Sequence, residues 1–222
     1  MLSMSVHTSV KCNFSVQYLC ATARFSDQII EIEKNNIGNP LSAFHEEILE
    51  LSIACVLMGV ACLESYVNEL FYDSEKHFPN LRQELIKKIW EIIEQKSILE
   101  KYEFAMLLMN APNYEKGTWP YRDIKALIIL RNALMHFKPE EDSEQIIHAR
   151  VSKQLNGRFT PSPFISEGNP LFPQRWASSG CAIWLVQAII SFIYKFEELA
   201  GLDRRLKPFV DRLDKRYTLT KR

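Results

Sequence analysis

The fold is indicated most clearly by the stretch at residues 121–137, which reads YRDIKALIILRNALMHF. Apolar residues dominate this stretch, and it contains neither glycine nor proline. The ring of Pro139 disfavours helical geometry at Lys138, so a helix over residues 121–137 has a natural end. Because a helix that is apolar on nearly all sides must be covered on nearly all sides, the stretch predicts a helix inside a helical protein.

This helix carries a charged group, an amide and an imidazole within six positions. At 100° per residue, Arg131 falls among leucines on one face, whereas Asn132 and His136 lie on the other. Removing such groups from water is costly unless a partner satisfies them or they do chemistry. Asn132 and His136 are four residues apart, so we expect the amide to orient the imidazole. The two faces are Leu127, Leu130, Arg131 and Leu134, and Lys125, Ile129, Asn132 and His136.

The rest of the chain shows helical periodicity and almost no strand signal. Ser42 is a suitable N-cap for the second helix, and Pro79 closes it. Glu64 and Asn68 share a face of that helix with apolar residues, so we expect them to be shielded from water. The fold class predicted is all-α, a helical bundle with an up-and-down core of about four to five long helices. Besides 121–137, the predicted helices are 14–36, 42–77, 81–110 as one or two helices, 141–155 and 178–199.

We expect a single domain over residues 1–222. Its parts are an N-terminal helix in 1–41, a core at about 42–200, an irregular loop rich in proline and glycine at 156–173, and a basic tail at 203–222. The tail carries eight Lys or Arg against three Asp. A solvated end is the simpler prediction for the tail, and contact with an RNA backbone or an acidic partner is the alternative.

Composition narrows the function classes. The chain has 27 Lys plus Arg and 27 Asp plus Glu, so no global field attracts nucleic acid or an anionic membrane. Five cysteines without a C-x-x-C pair argue against a disulfide framework and a zinc knuckle. No signal peptide is recognisable, and a cytoplasmic location is expected. The apolar runs at 51–63 and 181–196 fall short of the roughly 20 residues that span a bilayer, so we expect buried helices and no membrane partner.

The residue types at the end of the 121–137 helix suit phosphodiester chemistry. His136 lies where the exposed carbonyls of a helix end favour an imidazolium, which can donate a proton. Arg131 offers a permanently charged fork to phosphate oxygens, about 7.5 Å along the axis from His136 at 1.5 Å per residue. Together they predict chemistry that needs neither a metal nor another cofactor.

The segment Arg131-Asn132-x-x-x-His136 resembles the R-x4-6-H motif of the HEPN superfamily. The all-helical pattern agrees, and residues 61–71 (ACLESYVNELF) are similar to the second helix of many members. The resemblance implies a homodimer that pairs two motifs across a cleft and cuts RNA without metal, with attack of the 2′-hydroxyl leaving a cyclic phosphate. It implies His136 as acid and base, Arg131 as phosphate clamp and Asn132 as orienting residue. Expected supporting or substrate-binding residues are Glu64, Asn68, Lys125 and Lys138.

Partners expected on this hypothesis are a second copy, RNA and an antitoxin protein, in a toxin or phage-defence system. The main alternative is a non-catalytic helical binding or scaffold module, in which Arg131 forms a buried ion pair with Glu64. On that hypothesis the His136 ring bonds to a carbonyl. A further alternative is a membrane-peripheral protein that uses its basic tail.

Overall fold

The computed structural model describes residues 12–140 and 146–217, and within these ranges the chain forms helices and loops without a β-strand. The all-α prediction is therefore confirmed. The helices are α1 (Phe14–Asn36), α2 (Ala43–Tyr72), α3 (Ser74–His77), α4 (Gln83–Ile93), α5 (Ile98–Leu108), α6 (Tyr121–Met135), α7 (Ile146–Leu155), α8 (Ser179–Leu199) and α9 (Lys207–Val210). A helical turn at Leu171–Arg175 and a 3-10 turn at Lys215–Tyr217 complete the described elements.

The bundle is assembled around α8, in which 14 of 21 residues are buried. α8 packs against α1, α2 and α6, and α2 also contacts α5. These helices approach closely at Gly59 of α2, where an added Cβ would lie 2.8 Å from Ile189 of α8 and 3.6 Å from Thr22 of α1. A glycine at this position therefore lets three helices meet.

The predicted helix bounds hold for α1 and need small changes elsewhere. The helix expected at 42–77 is interrupted at Asp73 and continues as the single turn of α3. Ser42 is the N-cap residue of α2, as predicted, but its hydroxyl makes no capping hydrogen bond. The region 81–110 forms the two helices α4 and α5, and Ser97 caps α5 in a capping box with Glu100. Of the helix expected at 141–155, the first five residues lie outside the described ranges.

The start of α6 is anchored to α8 through a buried carboxylate. Asp123 accepts a hydrogen bond from the indole N–H of Trp184 at 2.9 Å. Arg158, from the loop after α7, forms an ion pair with the other oxygen of Asp123. A buried charge is tolerated when it is paired and hydrogen-bonded. These two contacts of Asp123 hold the start of α6 against α8 and the loop after α7.

The basic tail packs on the core through Leu206, Val210 and Tyr217, whereas most of its basic side chains in residues 203–217 are exposed, so the predicted solvated end holds in part. Tyr217 is fully buried, and its hydroxyl donates to Asp27 of α1 at 2.8 Å. Arg205 pairs with Glu69 of α2 at 2.7 Å, and its backbone N–H donates to buried Glu197 at 2.8 Å. Burial by itself raises the pKa of Glu197, against the opposing effect of these partners. The end of the described tail packs against the middle of α8 and α1, where the side-chain amide of Gln187 donates to the carbonyl of Arg216 at 2.7 Å.

Among the described residues, α2 and α8 are long and apolar enough to cross a membrane by length and composition alone. α2 and α8 are longer than the apolar runs at 51–63 and 181–196 that lie within them. The shortness of those runs therefore does not exclude a membrane-spanning helix. In the fold, 44% of the most apolar window of α2 and 72% of that of α8 are buried. Core helices of soluble proteins meet the same criterion, so the observation is weak evidence for a membrane.

Candidate active site

The two faces predicted for α6 are confirmed by its burial. Leu127 and Leu130 are fully buried against the bundle, whereas Lys125 and Asn132 are exposed. Arg131 lies between these extremes and is half-buried. Lys125 and Asn132 therefore lie on one exposed face of the helix, and Arg131 lies off that face.

α6 ends at Met135, two residues before the predicted end. His136 is the first residue beyond it, with φ −120° and ψ 38°, and its N–H donates to the carbonyl of Asn132 at 3.0 Å. Directly after it, the half-exposed ring of Phe137 stacks on His148 of α7, with centroids 5.4 Å apart. The His136 side chain stands exposed at the helix terminus.

Neither side-chain bond predicted for His136 is made. Within the described residues its ring contacts no carbonyl and no Asn132 amide by a hydrogen bond, and both side chains are exposed. The amide of Asn132 therefore does not orient the imidazole in this protomer. Both groups are open to solvent, and both remain available to an external partner.

Arg131 has no ion-pair or hydrogen-bond partner in the part of the chain that the structure describes, and its Nε is buried without an acceptor. The predicted ion pair between Arg131 and Glu64 is wrong. Glu64 instead accepts from the Nζ of Lys101 at 3.0 Å. The positive charge of Arg131 is thus uncommitted, which is unusual for a half-buried guanidinium.

Lys101 is the charged core residue that the sequence reasoning missed. Its side chain is 3% exposed, and its Nζ also donates to Asn68 at 3.4 Å and lies 5.6 Å from the ring centroid of Trp90. Ile98, Lys101, Tyr102 and Ala105 follow the helical spacing of a buried face, which is the signal that could have identified it.

The supporting residues predicted from the sequence fall into two groups. Glu64 and Asn68 belong to the Lys101 cluster, and no hydrogen bond or ion pair between described residues joins that cluster to Arg131. Lys125 and Lys138 are exposed, one on α6 and one just after it. The two lysines are therefore open to solvent, whereas the two α2 residues contact Lys101.

Large apolar side chains surround the end of α6 on the outside of the protein. Four of them, each between 49% and 80% exposed, form what we call the motif-side patch: Met135, Phe137, Ile146 and Ile147. They come from the end of α6 and the first turn of α7, which pack against each other. Exposed apolar residues grouped in this way are typical of protein–protein contact sites.

One residue of the irregular loop contacts the segment that follows the motif. Phe172 is buried with its ring 6.3 Å from that of Phe137, and its backbone N–H donates to the hydroxyl of Ser152 in α7 at 2.9 Å. This loop residue therefore packs against the segment that follows His136.

The hollow between the C-terminal half of α2 and α4 does not include the motif. It has a volume of about 870 Å³, and Asn68, Phe71, Ile86 and Trp90 are among its lining residues. Arg131, Asn132 and His136 do not line it. Asn132 and His136 are instead exposed on the outside of the protomer.

In residues 12–140 and 146–217, no group of three His, Cys, Asp or Glu side chains is placed to hold a metal ion. No family model, no curated protein and no solved structure matches this chain. Chemical interpretation therefore rests on the residues themselves.

Proposed function

We propose that this protein is a HEPN-type endoribonuclease that acts without a metal at the cleft of a homodimer. The observation that carries the proposal is that the Arg131 guanidinium has no ion-pair or hydrogen-bond partner among the described residues, while His136, five positions further along the chain, is exposed. A permanently charged fork without a carboxylate partner suits a phosphate, and an imidazole can donate or accept a proton near neutral pH. The resemblance of Arg131-Asn132-x-x-x-His136 to the R-x4-6-H motif supports the same function.

In this proposal Arg131 binds the non-bridging oxygens of the scissile phosphate and stabilises the charge that develops there. His136 moves the protons. The 2′-hydroxyl loses its proton and attacks the adjacent phosphorus, the bond to the 5′-oxygen breaks, and that oxygen gains a proton. The products carry a 2′,3′-cyclic phosphate and a 5′-hydroxyl, and the two histidines of a dimer can share the roles of base and acid.

The motif-side patch supports the dimer. Burying Phe137, Ile147 and their neighbours against a second copy would remove apolar area from water and bring two motifs together. An aspartate in place of Ile147 should prevent this association, since it would bury an unpaired charge. The matched control is Ile92→Asp on α4, where an isoleucine is 69% exposed outside the patch.

Sedimentation measures whether each protein is a monomer or a dimer. We expect a dimer for the wild type and for Ile92→Asp, and a monomer without nuclease activity for Ile147→Asp. A wild-type monomer that cleaves RNA would contradict the dimer.

Cleavage of a labelled single-stranded RNA in excess EDTA tests the activity. We expect cleavage by the wild type and by His45→Ala, the matched histidine control, and at least about a hundredfold loss in His136→Ala and Arg131→Ala. Binding of RNA without cleavage would instead support the scaffold alternative. Equal cleavage by His136→Ala would overturn the catalytic assignment.

A further inference from the structure

His148 is a buried histidine, not a surface one. It lies in the first turn of α7 and is buried, with its Nε2 3.0 Å from the carbonyl oxygen of Lys138. Because a carbonyl can only accept, Nε2 carries the proton and donates it. The ring is stacked on Phe137 at 17° and meets the edge of Phe172 at 77°, with centroids 5.4 and 5.3 Å away.

Glu140 strengthens the same connection. Its carboxylate accepts the backbone N–H groups of Ile147 and His148, both at 2.9 Å, and so satisfies the free donors at the start of α7. The Nδ1 of His148 lies 3.6 Å from Glu140. Residues 137–140 are thus tied to α7 by one ring contact, one bond to a carbonyl and two bonds to a carboxylate.

The tied segment begins one residue after His136. The His136 ring has no hydrogen-bond partner among the described residues, so the position of its imidazole depends on where the backbone runs after α6. That path is fixed at Phe137 and Lys138 by His148. Of these contacts, the hydrogen bond to the Lys138 carbonyl requires a side-chain donor at position 148.

We propose that His148 is a positioning residue for His136: it fixes the backbone that follows His136 and thereby the place of the imidazole at the end of α6. This role rests on the proposed nuclease function. His148 acts through the backbone and does not touch the substrate. Displacing a reacting group by about 1 Å can cost on the order of a hundredfold in rate, so a contact of this kind can control turnover.

Two variants separate the hydrogen bond from the packing. His148→Phe keeps a ring between Phe137 and Phe172 but cannot donate to Lys138. His148→Gln retains an N–H donor. For an active wild type we expect kcat to fall at least about tenfold in His148→Phe with KM changed less than about twofold, and His148→Gln to recover most of the loss.

An NMR readout makes the test independent of nuclease activity. The Cε1–H resonance of the His136 ring should shift or broaden in His148→Phe and return towards its wild-type position in His148→Gln. His45→Phe is the control and should leave that resonance unchanged. If the wild type cleaves no RNA, the nuclease proposal fails, and the His136 resonance still decides whether His148 positions that ring.

The proposal is overturned if His148→Phe folds and leaves both the His136 resonance and kcat unchanged. It is also overturned if His148→Gln is as impaired as His148→Phe, because packing and not the donor would then matter. If His148→Phe does not fold, His148→Gln alone must keep the wild-type resonance and kcat, and loss of either contradicts the role.

Discussion

Replacing Lys101 and Arg131 by methionine, one at a time, distinguishes a cation that holds the fold from one that is free for a ligand. Lys101 is 3% exposed and bonds to Glu64 at 3.0 Å and to Asn68 at 3.4 Å. Losing a hydrogen bond to a charged group costs about 1.5–3 kcal/mol. Water can rehydrate the Glu64 side chain, which is 42% exposed. We therefore expect Lys101→Met to lower the free energy of unfolding by about 1–3 kcal/mol.

Arg131→Met removes no partner, since Arg131 has none among the described residues, and it removes a buried Nε without an acceptor. Its free energy of unfolding should lie within about 0.5 kcal/mol of the wild type or above it. RNA cleavage should nevertheless be lost.

Urea unfolding at pH 7, followed by circular dichroism, measures both variants under the same conditions. The reasoning is refuted if Arg131→Met loses as much stability as Lys101→Met, because Arg131 would then be a structural residue.

Two further predictions concern the fold. Gly180→Ala should destabilise the protein by about 1–3 kcal/mol, because its Cβ would overlap the backbone of Thr160. In Gly59→Ala the new Cβ meets the end of the flexible Ile189 side chain, so its stability should stay within about 1 kcal/mol of the wild type. Thermal unfolding compares the stabilities of the two variants. The pKa of Glu140 is lowered: desolvation raises it, but the N–H groups of α7 outweigh desolvation. The carboxylate therefore stabilises the fold above its ordinary pKa, and this contribution disappears as pH falls through the lowered value. Glu140→Gln should reduce the melting temperature at pH 7, and the difference from the wild type should shrink as the pH falls through the lowered pKa of Glu140; a difference that does not shrink would contradict the assignment.

The helices were predictable because their signals are local. The apolar spacing and the stop after Asn36 define α1, and Pro139 sets an approximate end for α6. The faces of α6 followed from the 100° step, so the burial of Leu130 and the exposure of Asn132 could be expected from the sequence.

The contacts between side chains of different helices were not predictable, because the residues on one face of a helix do not specify which element packs against that face. Glu64 has the spacing expected for a partner of Arg131, but α5 brings Lys101 to it. The prediction for the tail was based on its charge. It did not include the buried Tyr217, which bonds to Asp27 of α1. His148 shares a buried face with Val151 and Leu155, but its bond to Lys138 depends on tertiary packing.

The chemical identity of the new RNA ends tests the account most directly. After digestion of a short RNA in excess EDTA, mass spectrometry of the fragments reports which oxygen attacked the phosphorus. The account predicts a 2′,3′-cyclic phosphate on the upstream fragment and a 5′-hydroxyl on the downstream one, both absent with His136→Ala. Fragments that end in a 3′-hydroxyl and a 5′-phosphate, or the same fragments from His136→Ala, would contradict it.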